Sequence, residues 1–159
     1  MSLFKIKEII KMGIDKEKKR RDFYGKVKGL YDNEKLAQLF SDLEKWEAEH
    51  IDTFKKIYDS VGEEQTCRES YEGEMEDYID AFLDDRLYYE IETDIFKDRI
   101  KTERDAIHLA MSFEKDAIIF FNEFKDMAPP EHKVEIQKLL NEEKQHLIFL
   151  YRMKKELDK

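Results

Sequence analysis

Six side chains able to bind metal recur in this chain in one register. Glu17 and Glu114 each precede a pair of aromatic residues, Phe23-Tyr24 and Phe120-Phe121, by the same interval. Each is followed further along by Glu-x-x-His, Glu47 to His50 and Glu143 to His146. Residues 17 and 114 are 97 positions apart, while 47 to 143 and 50 to 146 are each 96, so a single one-residue gap superimposes both sets. Either Glu-x-x-His alone is a weak signal, because short motifs arise by chance; two in register, each behind an inward Glu, are far stronger. Four helices carrying this pattern can hold two metal ions between them.

Charge explains why metal fits. Four carboxylates buried in an apolar bundle repel one another and lose hydration, a penalty of order several kcal/mol each unless they are protonated or paired with cations. Two divalent ions neutralise four carboxylates, and His50 and His146 supply one neutral imidazole to each. Spacing of i,i+3 sets Glu and His on one side of adjacent helical turns, so a single ion can meet both. Mixed oxygen and nitrogen ligation with open positions suits iron or manganese, and zinc also binds such donors.

The elements that must position these groups are four amphipathic helices in two pairs, residues 3–60 and 101–158. In the first, Ile6, Ile10, Gly13, Glu17, Tyr24, Val27 and Tyr31 follow steps of three, four or seven and share a face. Asp32-Asn33 supplies a turn and a cap, after which Leu36, Phe40, Leu43, Glu47, His50 and Phe54 trace the next inward stripe. Ile107, Ala110, Glu114, Ala117, Phe121 and Phe124 form the third, behind a capping box of Thr102 and Asp105. Ala128-Pro129-Pro130 separates it from the fourth stripe of Ile136, Leu139, Glu143, His146, Leu150 and Met153. Short turns make each pair antiparallel. Residues 61–100 lie outside the repeat and serve as the long crossover that brings the second pair back along the bundle, with Gly62 at its start and a helix expected around Glu72 to Asp84.

Composition agrees. At 159 residues with 41% hydrophobic content the chain can build one core, and 42% charged residues suit helices with solvated outer faces. Two prolines, five glycines and no alternating β-branched run point to an all-α single domain without strands. A net charge of -9 disfavours nucleic acid. No apolar run reaches membrane-spanning length, and Lys5, Lys7 and Glu8 interrupt the N-terminal stretch, so neither a membrane span nor a signal peptide is expected and the expected location is cytoplasmic. Cys67 stands alone, which excludes an intramolecular disulfide or a Cys-x-x-Cys site.

Glu143-Lys144-Gln145-His146 and the Glu17 to Tyr24 spacing resemble the ferritin-like di-iron carboxylate proteins, and among them the rubrerythrin group. The resemblance covers both helix pairs. It implies two iron ions bridged by Glu47 and Glu143, with Glu17 and Glu114 as terminal ligands, His50 and His146 completing each ion, and Tyr24 hydrogen-bonding the ligand carboxylates. It also implies reduction of hydrogen peroxide or dioxygen, and pairing into a homodimer. The chain departs from the group in two places: only one cysteine is present where a rubredoxin domain needs four, so the electron donor is expected to be a separate protein such as a rubredoxin, and Ala117 stands where a further third-helix Glu is found. The alternatives are ferroxidase or iron-handling activity and a non-catalytic metal-stabilised bundle, with manganese catalase or oxygenase chemistry on the same scaffold as further readings.

Other residues carry structural expectations. Arg20, one turn after Glu17, either pairs with a carboxylate near the site or carries its guanidinium to the surface, and its long stem favours the surface. Trp46 is expected to be a packed helix residue, and His108 and His132 to serve surface or capping roles. Cys67 is expected to be a free thiol.

Overall fold

In the computed structural model the described residues are 5–63, 66, 77–78, 80–81, 88, 91 and 95–159. Helix α1 spans Ile6–Val27 and α2 Glu34–Ser60; a short α3, Phe96–Arg99, precedes α4, Glu103–Met127, and α5, Lys133–Leu157. They form a four-helix bundle of two antiparallel pairs, α1 against α2 and α4 against α5. Among the described residues there is no strand; Lys5 and Thr66 make an isolated antiparallel bridge. The expected helix around Glu72 to Asp84 lies outside the described residues except at Asp77, Tyr78, Asp80 and Ala81, which are helical, and Cys67 lies outside them altogether. No helix among the described residues is long and apolar enough to cross a membrane.

The helix ends follow local chemistry. Asn33 is extended, and its Oδ1 accepts from the Leu36 N–H at 3.1 Å, satisfying one of the orphan donors at the start of α2. Thr102 and Asp105 form the expected reciprocal box: Thr102 Oγ1 accepts from the Asp105 N–H at 3.1 Å, and Asp105 Oδ2 accepts from the Thr102 N–H at 3.0 Å. Between α4 and α5 the chain turns through a 3-10 segment, Pro130–His132, where proline at the first position needs no N–H partner.

The inward stripes pack as two apolar layers. One gathers Ile10, Phe54, Phe120, Phe121, Phe124 and Leu139; the other gathers Phe23, Phe40, Leu43, Phe96, Phe113 and Leu150. Each fully buried large side chain contributes about 1.5–3 kcal/mol. Glu17, Arg20, Glu47, His50, Glu114, Glu143 and His146 lie buried among these cores. Position 13 is glycine for a steric reason: a Cβ there would lie 2.8 Å from Phe120 Cε1 and 3.2 Å from Phe54 Cε1. A side chain at Gly29 would meet nothing within 4 Å, and its backbone is outside the left-handed region. Gly13→Val is therefore expected to lower unfolding free energy by about 1–3 kcal/mol, whereas Gly29→Ala leaves it unchanged or raises it by up to about 1 kcal/mol; urea denaturation followed by circular dichroism distinguishes the two.

Candidate metal centre

The ligand residues sit near the middle of their helices. Glu17 occupies α1, Glu47 and His50 α2, Glu114 α4, and Glu143 and His146 α5. Because each lies on the buried stripe, forming the apolar core carries the polar groups inward with it. All six predicted residues are brought together. Donor atoms of Glu17, Glu47, His50 and Glu143 lie within 4.8 Å of one another, as do those of Glu47, Glu114, Glu143 and His146. The groups share Glu47 and Glu143, so two adjacent subsites meet at those carboxylates.

Both imidazoles present Nδ1 to the cluster. His50 Nδ1 lies 2.9 Å from Glu143 Oε1, and His146 Nδ1 lies 3.1 Å from Glu143 Oε2 and 3.3 Å from Glu47 Oε1. Tyr24, fully buried, donates its O–H to Glu114 Oε1 in the short contact anticipated for it. Several buried oxygens nevertheless make no well-formed hydrogen bond, namely both of Glu17, both of Glu47 and Glu114 Oε2, and rest on ion pairs such as Arg20 to Glu17 Oε1 and His146 to Glu47 Oε1. Buried acceptors are normally satisfied by hydrogen bonds, so a cluster of carboxylate oxygens left without them, gathered in two overlapping groups, is chemistry that cations complete. Hard carboxylate oxygens with two imidazoles make a donor set that iron fits.

Without metal, protons and Arg20 must do this work. Burial raises the Glu17 and Glu114 carboxyls well above their ordinary 4.5, reinforced at Glu114 by the charges of Glu143 and Glu47. Burial acts in the same sense on Glu47 and Glu143, but it is outweighed. Glu47 is held below the usual range by a hydrogen bond from Glu17, by Arg20 and by His146, and Glu143 by His50, Glu114 and His146. Burial alone would lower both histidines. Hydrogen bonds to Glu114, Glu143 and Glu47 instead push His146 up to about 12, and Glu143 with Glu142 raises His50 well above 6.5.

Arg20 corrects one expectation. Its guanidinium does not reach the surface but is fully buried, with Nη2 ion-paired to Glu17 Oε1 at 2.5 Å and Nε 3.6 Å from Glu47 Oε2. The stem is long enough for either outcome, and the unneutralised carboxylates decide it, since burying an unpaired charge costs more than the guanidinium loses in hydration. Its proximity in sequence to Glu17 was the available signal. Trp46, expected only to pack, is half-buried and stacks on His146 with ring centroids 5.2 Å apart, and His146 in turn stacks on His50 at 5.4 Å. Glu142 was also missed. Its Oε2 accepts from His50 Nε2 at 2.8 Å, so it fixes the ring that turns Nδ1 inward. Its position, one residue before Glu143 and matching Trp46 in the repeat, was legible but uninformative about role. Trp46, Glu49, His50, Glu142, Gln145, His146 and Phe149 line a cavity of about 340 Å³ between α2 and α5 that leads to both imidazoles. His108 is exposed and His132 contacts Ser60 Oγ at 3.3 Å, as their places outside the register suggested.

A bundle of this topology with a buried carboxylate–histidine cluster is a ferritin-like carboxylate protein. Residues 8–154 match the family model described as rubrerythrin, and the chain belongs to the rubrerythrin family. It superposes on a crystal structure from Thermotoga maritima, provisionally described as a ferritin-like diiron-carboxylate protein, with a TM-score of 0.68, 23% identity and coverage of 98% of each chain. At that identity the likeness speaks for the fold. No curated protein matches the chain significantly.

The proton arrangement sets a pH dependence. Glu17, Glu114, His50 and His146 all have folded values above their unfolded ones, so their stabilising contributions are present in acid and decline as pH rises through the folded values. Glu47 and Glu143 are depressed, so theirs are present above 4.5 and are lost as pH falls below it. Metal-free protein is expected to be most stable near the ordinary carboxyl value of 4.5, to lose stability above it as Glu17 and Glu114 stop holding protons the unfolded chain has released, and to lose it more steeply above the ordinary imidazole value of 6.5. Urea midpoints measured across that range check this; a midpoint that rises steadily with pH would contradict the protonation pattern.

Proposed function

We propose that this chain is a non-haem di-iron oxidoreductase that reduces hydrogen peroxide or dioxygen, with Glu17, Glu47, His50, Glu114, Glu143 and His146 holding two iron ions. The observation that carries the reading is the pair of overlapping donor groups sharing Glu47 and Glu143, each completed by one imidazole. Two iron ions bound there would supply electrons and Lewis acidity to a small oxidant. Membership of the rubrerythrin family and a ferritin-like fold support that chemistry in kind.

The protein's own residues have definite tasks in this scheme. Glu47 and Glu143 contribute to both donor groups and so couple the two subsites. Glu142 orients His50, and the Trp46 ring backs His146. Tyr24 restrains Glu114 and, with its phenol pushed well above 10 by burial and neighbouring carboxylates, stays protonated as a hydrogen-bond donor. The cavity beside His50 and His146 gives a small oxidant a route to the centre, while the apolar layers keep bulk water away. Reducing one peroxide to two waters consumes two electrons and two protons; the electrons come from a donor outside these residues, for which a small redox protein such as a rubredoxin is suited.

Protein loaded with Fe(II) under anaerobic conditions and mixed with hydrogen peroxide or dioxygen in a stopped-flow instrument tests the reading. Oxidation much faster with peroxide supports peroxide reduction; oxidation by dioxygen with release or mineralisation of Fe(III) replaces it with iron handling. Glu142→Gln, which keeps the shape but weakens the orienting acceptor, is expected to lower iron affinity about 10-fold. Loading should also release protons, because the histidines must become neutral to bind, so affinity falls as pH falls. Calorimetry in buffers of different ionisation enthalpy reads that release, and its absence would count against the histidines as ligands.

A further inference from the structure

The two subsites are related by the sequence repeat but are not furnished alike. Arg20 of α1 corresponds to Ala117 of α4. Arg20 Nη2 lies 2.5 Å from Glu17 Oε1 and 3.7 Å from Glu143 Oε1, and Nε lies 3.6 Å from Glu47 Oε2. Those three residues are three of the four that form the donor group containing His50. At the other group, Ala117 places no cation beside Glu114, and the neighbour on Glu114 Oε1 is the neutral Tyr24 hydroxyl. Glu47 and Glu143 serve both subsites, but Arg20 faces their Oε2 and Oε1 atoms respectively, the oxygens that also face His50, whereas His146 faces the other two; the buried guanidinium thus stands on the His50 side of the cluster.

We infer that Arg20 makes metal loading sequential: a divalent ion enters the Glu47–Glu114–Glu143–His146 subsite first, and the Glu17–Glu47–His50–Glu143 subsite fills only as the Arg20 guanidinium gives up its carboxylate partners. This rests on the reading of the cluster as a metal centre. Two features support it. A guanidinium and a metal ion compete for the same oxygens, and neither tolerates the other at contact distance because both are cationic. Arg20 also has somewhere to go. Its Nη1 donates to the Tyr88 hydroxyl at 2.7 Å, Tyr88 donates to Asp116 Oδ2 at 2.6 Å, and Lys16 Nζ reaches the same oxygen at 2.9 Å. The Tyr88–Asp116 pair therefore anchors the guanidinium from outside the ligand set and can keep it satisfied after it leaves Glu17. Arg20 acts here as a positioning residue that sets the order and relative affinity of two sites.

Calorimetric titration of metal-free protein with Co(II) tests this without reference to turnover. Wild type is expected to bind two ions in resolved steps, the second at least about tenfold weaker than the first. Mutual repulsion of two ions would also separate the steps, so the comparison with Arg20→Met and Arg20→Ala is decisive: in either variant the steps should draw together. His146→Ala should abolish the tight step and His50→Ala the weak one, which gives a second reading if the Arg20 variants fail to fold. Step ratios unchanged in folded Arg20 variants, or loss of the tight step in His50→Ala, would overturn the inference. If wild type binds no Co(II) at all, the metal-centre reading itself falls, an outcome distinct from two ions binding alike.

Discussion

The rest of this structure depends on four carboxylates buried at one level of an apolar bundle. Their mutual repulsion is strong because the surrounding Phe and Leu layers exclude water, and no arrangement of neutral side chains could offset it. The protein answers with three internal cations, Arg20, His50 and His146, and with protons on Glu17 and Glu114. The protons on Glu17, Glu114 and the two imidazoles can be given up to a metal ion, whereas Arg20 keeps its charge and can only move aside. The centre is therefore a set of competing cations, and its composition is decided by which of them is bound most tightly at a given pH and metal concentration.

Why the ligands were legible in the sequence, while parts of their surroundings were not, follows from what periodicity encodes. An inward stripe specifies which residues share a face, and Glu17, Glu47, Glu114 and Glu143 occur where an apolar residue would otherwise be required; a polar residue on such a stripe has few explanations. Periodicity placed Tyr24 inward as well, but its hydrogen bond to a ligand carboxylate was implied by the family resemblance and not by the stripe. Arg20 was not legible, because a flexible stem lets one residue serve the core or the solvent, and only the balance of charge around it settles the matter. Trp46 and Glu142 contact the histidines across a helix–helix interface, and single-helix periodicity carries no information about which residues of two helices meet. Helix limits came within a few residues because Asn33, Thr102 and the paired prolines act locally.

The chain also shows how an internal repeat can retain its scaffold while its two halves take different roles. Glu17, Glu47 and His50 keep their counterparts in Glu114, Glu143 and His146, but Tyr24 faces Phe121, Arg20 faces Ala117 and Trp46 faces Glu142 in the superimposed register. Each substitution lies beside a ligand rather than at one. The ligand count is thus preserved and the electrostatics of the two sides diverge, with a carboxylate behind His50 and an indole behind His146.

The placement of the ligands far from any helix end has a dynamic consequence. Helices fray from their termini, and amide hydrogen exchange there reflects local opening that costs little, whereas mid-helix amides exchange through larger cooperative openings. Glu17, Glu47, Glu114 and Glu143 are flanked on both sides by separately packed apolar clusters, so ordinary fraying exposes neither the cluster nor the orphaned oxygens. Among the described residues, the lateral opening between α2 and α5 offers ions a route to solvent while the backbone stays closed, which would make the centre kinetically separate from the breathing of the bundle's ends.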